Sequence, residues 1–445
     1  MNNKSVFVVT LGCSKNEVDS ELMLSILNKG KYSIAENIED ANIIIVNTCG
    51  FIESAKEESI ETIWEMTKYK KEGKCEYLLL AGCLAQRYSK ELIEEIEDID
   101  AIIGTGNIKD LNNTLDNLES KNKVVIVDNI DDSYLENVER INFSATAYVR
   151  ISEGCDNFCT YCIIPKLRGK HRSRKMEDII KEVKYLAENG VKEIILIAQN
   201  TSDYGIDLYG EYNLYKLLDE LNNIEDIKWI RILYLYPDNF TDNLINSIRE
   251  NDKVVKYVDI PLQHINDSVL KRMNRRTTKE SIINLINKLR MEIPEIVIRT
   301  TFIVGFPGET DDEFKELHQF VENIRFERLG VFTYSKEEDT PAYSMANHVD
   351  EVVKENRRDS LMELQRIISE DIMMSKIDKT YNVIIEEYAG EDTYIGRTYM
   401  DSPEIDGVVY INTDKDLEID EFVKVKITEY LEYDLIGELV DESSK

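Results

Sequence analysis

Tyr148-Val149-Arg150-Ile151-Ser152-Glu153-Gly154-Cys155-Asp156-Asn157-Phe158-Cys159-Thr160-Tyr161-Cys162 is a short apolar strand running into a loop with three cysteines. The cysteines read C-x-x-x-C-x-x-C. Thiols so close together at fixed spacing, in a chain without extracellular signals, point to metal or redox chemistry rather than disulfides. A closed zinc or ferredoxin site takes four ligands. Here the local count stops at Cys155, Cys159 and Cys162. Three thiolates can hold three irons of a cubane cluster and leave the fourth open. An open iron is a place where a substrate or cofactor coordinates, so the loop reads as catalytic rather than structural.

Downstream, apolar runs and helical patterns alternate. The runs are Glu193–Ala198, Trp229–Tyr236, Val255–Ile260, Val297–Val304 and Leu329–Tyr334. Between them lie helical stretches at Lys175–Asn189, Leu214–Leu221, Asp242–Asn251, Ser281–Ile293 and Thr310–Ile324. With the strand before the cysteine loop, this predicts six strands of an open or partial β/α barrel. Chemistry in such barrels sits at the carboxyl ends of the strands. Those ends carry Gln199-Asn200, Tyr236-Pro237-Asp238, Gln263-His264 and Gly305-Phe306-Pro307-Gly308-Glu309. Amides and a carboxylate there can hydrogen-bond a ligand, and glycines allow its close approach. Taken alone, Gly305-x-x-Gly308 reads as a turn and His264 as a packed side chain. Two basic runs, Lys166–Arg174 and Lys271–Arg276, follow strand ends. They read either as solvated faces or as holders of acidic groups on a cofactor or substrate.

Upstream, one pattern occurs three times. Val6–Thr10, Ile43–Asn47 and Tyr77–Ala81 are buried-strand patterns, and each ends at a cysteine: Cys13, Cys49 and Cys83. Helical patterns follow at Glu17–Leu27, Ile52–Tyr69 and Ala85–Ile96. This predicts a doubly wound parallel sheet, in which ligands gather at the carboxyl ends of the strands. One such cysteine would read as a small buried hydrophobe. Three at the same point of a repeat predict a second metal site. Cys75 breaks the pattern and reads as incidental. Val124–Val127 completes the segment, and Gly104-x-Gly106 lacks the rest of a dinucleotide fingerprint.

The tail changes character. Tyr381–Glu387, Tyr394–Thr398, Val408–Ile411, Phe422–Thr428 and Leu435–Val440 read as five short strands of a small all-β barrel. The expected organisation is therefore α/β with three parts. Residues 1–128 form the wound sheet, 129–145 an acidic linker, 146–373 the partial barrel and 374–445 the small β-barrel.

Composition bounds the function. The 445 residues carry a net charge of −32, with 42% hydrophobic and 31% charged residues. Such acidity disfavours a broad grip on phosphates and suits a basic partner or plain solubility. From residue 374 onward, 19 Asp and Glu face 7 Lys and Arg, unlike a nucleic-acid surface. No apolar run approaches the ~20 residues of a membrane span. The start has no secretory pattern, so a cytoplasmic location and no membrane partner are expected.

C-x-x-x-C-x-x-C on a partial β/α barrel, with aromatic Tyr161 before the third cysteine, resembles the radical S-adenosylmethionine (SAM) superfamily. Leu11-Gly-Cys-Ser-Lys-Asn16, Asn47-Thr-Cys-Gly-Phe51 and Ala81-Gly-Cys-Leu-Ala-Gln86 resemble the methylthiotransferases of that superfamily, over essentially the whole chain. Glu153-Gly-Cys-Asp-Asn157, Tyr234-Leu-Tyr-Pro-Asp238 and Asp259-Ile-Pro-Leu-Gln-His264 are most similar to the branch acting on an aspartate of the twelfth small-subunit ribosomal protein. The resemblance implies two 4Fe-4S clusters, on Cys155, Cys159 and Cys162 and on Cys13, Cys49 and Cys83. The open iron of the first would bind SAM, with Tyr161, Gln199, Gln263, Gly305, Gly308 and Glu309 as its expected contacts. A radical derived from SAM would take hydrogen from the aspartate β-carbon. The second cluster would supply or carry sulfur, and a second SAM the methyl group. An external electron donor is implied, and the tail would be a TRAM domain. The rival readings are a tRNA adenosine methylthiotransferase, which the acidic tail disfavours, and a non-catalytic two-cluster electron carrier.

Overall fold

β-Branched runs build the first layer. The computed structural model describes residues 4–118, 123–128, 130, 139–141 and 143–440. Ser5–Thr10 (β1), Ser33–Ile34 (β2), Ile43–Thr48 (β3), Tyr77–Ala81 (β4), Ala101–Ile103 (β5) and Val124–Ile126 (β6) form a parallel sheet in the order β2-β1-β3-β4-β5-β6. Alternate residues serve opposite faces, as the strand period requires. Ile43, Ile45, Leu79 and Ala81 pack on Met23, Leu27, Leu111 and Leu115. Ile44, Val46, Leu78 and Leu80 pack on Ile63, Met66, Leu92 and Ile96. Helices thus cover both faces, and the sheet is doubly wound. The strand order reverses between β1 and β3, which opens a crevice at their carboxyl ends. Two strands, β2 and β5, escaped the periodic reading because two or three residues carry too little pattern. The helix expected over Ala85–Ile96 is two, Gly82–Arg87 and Ser89–Glu95, broken at Tyr88.

The second layer begins at Thr146–Arg150 (β7), followed by the small pair Ser152–Glu153 (β8) and Arg172–Ser173 (β9). Glu193–Ile197 (β10), Trp229–Ile232 (β11), Val254–Asp259 (β12), Val297–Val304 (β13) and Arg328–Thr333 (β14) complete it. The parallel order is β14-β13-β12-β11-β10-β7, and no pairing joins its two ends among the described residues. This is the six-stranded open barrel that the alternating pattern predicts. Thr278 and Thr310 close capping boxes on helices Lys279–Glu292 and Asp311–Ile324. Strand β11 stops four residues short of the expected Tyr236. Tyr234 takes a left-handed conformation (φ 62°) and its N–H donates to the Asp259 carboxylate at 3.0 Å. A left-handed turn at an aromatic residue costs about 1–2 kcal/mol. Helix Glu351–Met374 has no counterpart in the sequence reading; its apolar stripe of Leu361 and Ile368 packs on the barrel core, but charged residues surround that stripe.

Thr380–Gly390 (β15), Thr393–Arg397 (β16), Val409–Asn412 (β17), Phe422–Tyr430 (β18) and Leu435–Leu439 (β19) close a barrel in the order β15-β16-β17-β19-β18. It shares one core with Ile195, Ile197, Val255 and Tyr257 of the open barrel. Buried charges pin this contact. Glu193 accepts from Arg231 Nε at 2.8 Å and from Arg397 Nη2 at 2.6 Å, all three buried. Burial pushes the Glu193 carboxyl up, but Arg397 and Arg231 override it and hold it below the usual carboxylate range. Arg328 likewise pairs with Asp401. Part of the tail's acidity is therefore docking charge.

The expected linker, 129–145, falls mostly outside the described residues. Within it, Arg140 is buried and pairs with Glu21 at 2.6 Å and Glu182 at 2.8 Å. Glu17 lies beside this junction. Burial raises its pKa from 4.5 to about 7, with Glu21 and Glu404 adding to the rise and Arg140 opposing it. A folded pKa above the unfolded one means that the folded chain binds more protons between those values. Stability therefore falls as pH rises through that window, by on the order of 1 kcal/mol once solvent screening is allowed for. Glu17→Gln is expected to flatten this slope in urea denaturation compared at about pH 5 and about pH 8. Parallel pH dependence in parent and variant would contradict the assignment.

Candidate functional site

Cys13, Cys49 and Cys83 come to one place because β1, β3 and β4 are adjacent and end together. Gly12 makes this contact possible. Its φ is 90°, and an added Cβ would stand 2.6 Å from Cys49 Cβ and 2.9 Å from Cys49 Sγ. Ser59 clamps Cys49 from both sides: its hydroxyl accepts from the Cys49 N–H at 3.0 Å and donates to the Cys49 carbonyl at 2.9 Å. Burial pushes the Cys49 thiol up to about 11, and Cys83 and Cys13 nearby add to the rise.

The second set of thiols follows β7 and β8. Thr160 N–H donates to the Met273 carbonyl at 3.0 Å, Thr160 Oγ1 to the Arg272 carbonyl at 2.9 Å, and Asn274 to the Phe158 carbonyl at 3.0 Å. The loop is thus moored to the segment after β12. Burial, with Cys159 adding, pushes the Cys155 thiol up to about 11 and Cys162 higher still. At the loop's start Gly154 has φ 74°, and a Cβ there would meet the Lys170 carbonyl oxygen at 1.9 Å. Gly154→Ala is expected to unseat the loop, cost about 2 kcal/mol or more, and lower bound iron at this triad. Iron content and thermal melting check this; parental values for both would contradict it.

All six of these cysteines line one cavity of about 600 Å³. Two layers folded from separate parts of the chain each contribute one wall. Among the described residues no three His, Cys, Asp or Glu side chains close around a single metal ion. A cubane cluster binds each thiolate to a different iron and so suits a wider triad. The chemistry of the donors fits such a group. Buried thiols with raised pKa stay protonated beside one another, and a cationic iron reverses this by making thiolate the favoured form.

Tyr161, Gln199 and Gln263 also line the cavity. Gln199 Nε2 donates to Glu153 Oε1 at 2.5 Å. Since a carboxylate can only accept, this contact fixes the amide and leaves Gln199 Oε1 as a buried acceptor without a partner among the described residues. Gln263, at φ 70°, leaves its Oε1 in the same state. Tyr161 packs edge-on to Phe306 and accepts from Arg275 Nη1 at 3.4 Å.

Gly305, Gly308 and Glu309 do not join this wall. The Glu309 carboxylate is engaged by its own loop, accepting from the N–H groups of Gly305 at 2.7 Å and Phe306 at 3.1 Å and from Arg357 Nη1 at 3.0 Å. Gly305 lies against the Lys354 side chain. These contacts hold the turn that the spacing shows. His264 is fully buried, its Nδ1 accepting from the Asn266 N–H at 3.0 Å, and burial pushes its pKa down to about 3. Cys75 is buried in the core of the first layer, away from the cavity.

Three cations on the cavity wall went unseen as individuals. Arg168 and Arg275 sit within the two basic runs, yet both are buried rather than solvated. Arg168 Nη2 donates to Asn16 Oδ1 at 2.8 Å and Asp19 Oδ2 at 2.9 Å, and its Nη1 to Glu153 Oε2 at 3.2 Å. It also hydrogen-bonds the Cys83 side chain. Arg150 meets the same carboxylates, Asp19 at 2.7 Å and Glu153 at 2.8 Å. Burial would raise the Glu153 carboxyl, but Arg150 and Arg168, with Gln199, hold it down at about 2. Arg275 lies 4.2 Å from the ring centroid of Tyr236. Lys15, two residues after Cys13, lies 2.8 Å from the ring centroid of Tyr234. The signal that could have found Lys15 was its place in the first turn after a cysteine strand end.

Comparisons with known proteins follow the same division. Residues 149–321 match the radical SAM superfamily, 5–104 the uncharacterized protein family UPF0004, and 377–440 the TRAM domain. The chain is 52% identical over 435 residues to the ribosomal protein uS12 methylthiotransferase RimO of Clostridioides difficile (strain 630), covering 97% of this chain and 98% of that one. It is 52% identical to the RimO of Clostridium novyi (strain NT), covering all of both chains, and 49% identical to that of Acetivibrio thermocellus, covering 99% and 100%. Among solved structures, it resembles the radical SAM methyltransferase TsrM of Kitasatospora setae, with cobalamin and a [4Fe-4S] cluster bound. The TM-score is 0.57 at 13% identity, over 77% of each chain. The cobalamin-dependent SAM radical enzyme OxsB gives 0.51 at 15% identity, over 82% of this chain and 56% of that one. At these identities the likeness is one of fold.

Proposed function

As the chain belongs to the RimO family of ribosomal protein uS12 methylthiotransferases, we propose that it adds a methylthio group to the β-carbon of an aspartate side chain of uS12. The observation that carries this reading is the convergence of both cysteine triads on one cavity. A carbon held there lies between the two walls, within reach of both.

Cys155, Cys159 and Cys162 would hold one 4Fe-4S cluster and Cys13, Cys49 and Cys83 a second. When bound, the first cluster with SAM supplies one-electron cleavage and hydrogen removal, and the second supplies or carries the sulfur. The protein's own part is binding, orientation and exclusion of water. Gln199 Oε1 and Gln263 Oε1, left as acceptors, suit the donor groups of SAM, and the Tyr161 ring closes the same wall. Arg168 and Arg150 lock the two layers by reaching across to Asp19, and Arg168 to Asn16, so the walls keep their spacing. Residues 1–128 would then carry the sulfur side and 146–373 the radical side, joined through 129–145. Residues 374–445, with their acidic surface, would face a basic protein, free or within the assembling ribosomal subunit. Electrons would come from an external donor. No described helix is long and apolar enough to cross a membrane.

The test is an incubation of the reconstituted chain, reductant and SAM with uS12 and, separately, with tRNA, followed by mass spectrometry. A methylthio group on uS12 and none on tRNA is expected. Modified tRNA beside untouched uS12 would overturn the reading.

A further inference from the structure

We propose that Lys15 recognises the carboxylate of the substrate's acidic side chain and thereby selects an aspartate; this rests on the functional reading above and deepens it. Lys15 is 7% exposed and lies on the cavity wall. The other buried lysines both have carboxylate partners, Lys56 in Glu53 and Glu337, and Lys354 in Glu351. Arg168, which lines the same cavity, is met by Asp19 and Glu153. Lys15 differs from all of these: among the described residues it has no carboxylate partner, and its contact is the face of Tyr234. A buried ammonium held only by a π face is incompletely compensated, and an anion entering the cavity completes it.

Position narrows which anion. Lys15 lies in the first turn of helix Ser14–Asn28, whose amino end also favours negative charge. That turn belongs to the wall carrying Cys13 and Cys49. Arg275, which likewise lacks a carboxylate partner among the described residues, belongs to the opposite wall and feels Cys159. Two cations without a carboxylate partner among the described residues, one on each wall, match two acids, the carboxylate of SAM on the radical side and that of the substrate on the sulfur side. In an aspartate the β-carbon is bonded directly to the side-chain carboxyl carbon. Fixing the carboxylate on Lys15 therefore fixes the reacting carbon within one bond. Tyr234, which follows β11 at a left-handed turn, meets Lys15 across the layers with its ring. A neutral base or amide offers Lys15 no charge to pair with.

The experiment measures equilibrium binding of two labelled peptides to the reconstituted full chain. One carries the target aspartate of uS12, the other asparagine in its place, and SAM binding is measured beside them. The parent is expected to prefer the aspartate peptide. Lys15→Met is expected to bind it about 10- to 100-fold more weakly and to lose the preference, with SAM affinity kept, while Lys15→Arg restores much of it. An unchanged aspartate preference in Lys15→Met, or a loss of SAM affinity in place of peptide affinity, would overturn the assignment alone. If Lys15→Met does not fold, the parent still decides: equal binding of the two peptides overturns it. A parent that binds neither peptide would overturn the functional reading together with it.

Discussion

Cys159→Ala is expected to lose SAM cleavage and methylthiolation together, each falling to the uncatalysed level, a drop of about 10⁶-fold or more. Cys159 is buried in the moored loop, and its carbonyl accepts the Cys162 N–H at 3.0 Å, so alanine removes a thiolate without an obvious reason for the loop to unfold. A three-thiolate site has no spare ligand. Cys83→Ala supplies the contrast. It removes a ligand from the opposite wall, where the side chain packs on Ile163 and Leu167 and lies beside Arg168. SAM cleavage is then expected to persist within about tenfold, because the Cys155 triad keeps all three of its own thiolates, while no methylthio product forms. Separate assays of 5′-deoxyadenosine release and of modified uS12 distinguish the two. Loss of cleavage in Cys83→Ala with the Cys155 triad still loaded would show that the walls do not divide the chemistry.

The second large effect is expected at Arg168. Its guanidinium is buried between the layers and holds Asn16, Asp19 and Glu153 at once. Arg168→Ala leaves Asp19 to Arg150, and Glu153 to Arg150 and Gln199. Breaking a buried pair from one side typically costs about 3–5 kcal/mol. The midpoint of chemical denaturation should fall accordingly, and Arg168→Lys should recover only part because one ammonium cannot reach all three acceptors. A loss below about 1 kcal/mol would place Arg168 among surface pairs and contradict its role as the bolt between the walls.

The architecture was largely readable from spacing. Strand runs ending at Cys13, Cys49 and Cys83 imply adjacent parallel strands, and adjacency alone brings the three thiols together. The same logic placed the Cys155 loop at the end of β7. Short or irregular elements were not readable. Ala101–Ile103 is a three-residue strand, and β11 ends early because Tyr234 leaves the sheet for a contact with another layer. At the site, Gln199 and Gln263 reach the cavity wall, whereas Gly305, Gly308 and Glu309 stand away from it, the Glu309 carboxylate held by its own loop and Arg357 and the Gly308 backbone by Asn347 and Arg272. Charged residues were the hardest to read. A basic run looks the same whether it is solvated or, like Arg168, buried against carboxylates far away in sequence. Lys15 depends on a ring more than two hundred positions distant, which no local pattern reveals.

The most direct measurement is an iron and sulfide count with electron paramagnetic resonance on the reduced full chain and on two triple-alanine variants, one per triad. The parent should carry two clusters of about four irons each. Alanine at Cys13, Cys49 and Cys83 should remove one signal, and alanine at Cys155, Cys159 and Cys162 the other, each leaving its neighbour intact. A parent with a single cluster, lost whichever triad is replaced, would contradict two facing clusters in one cavity.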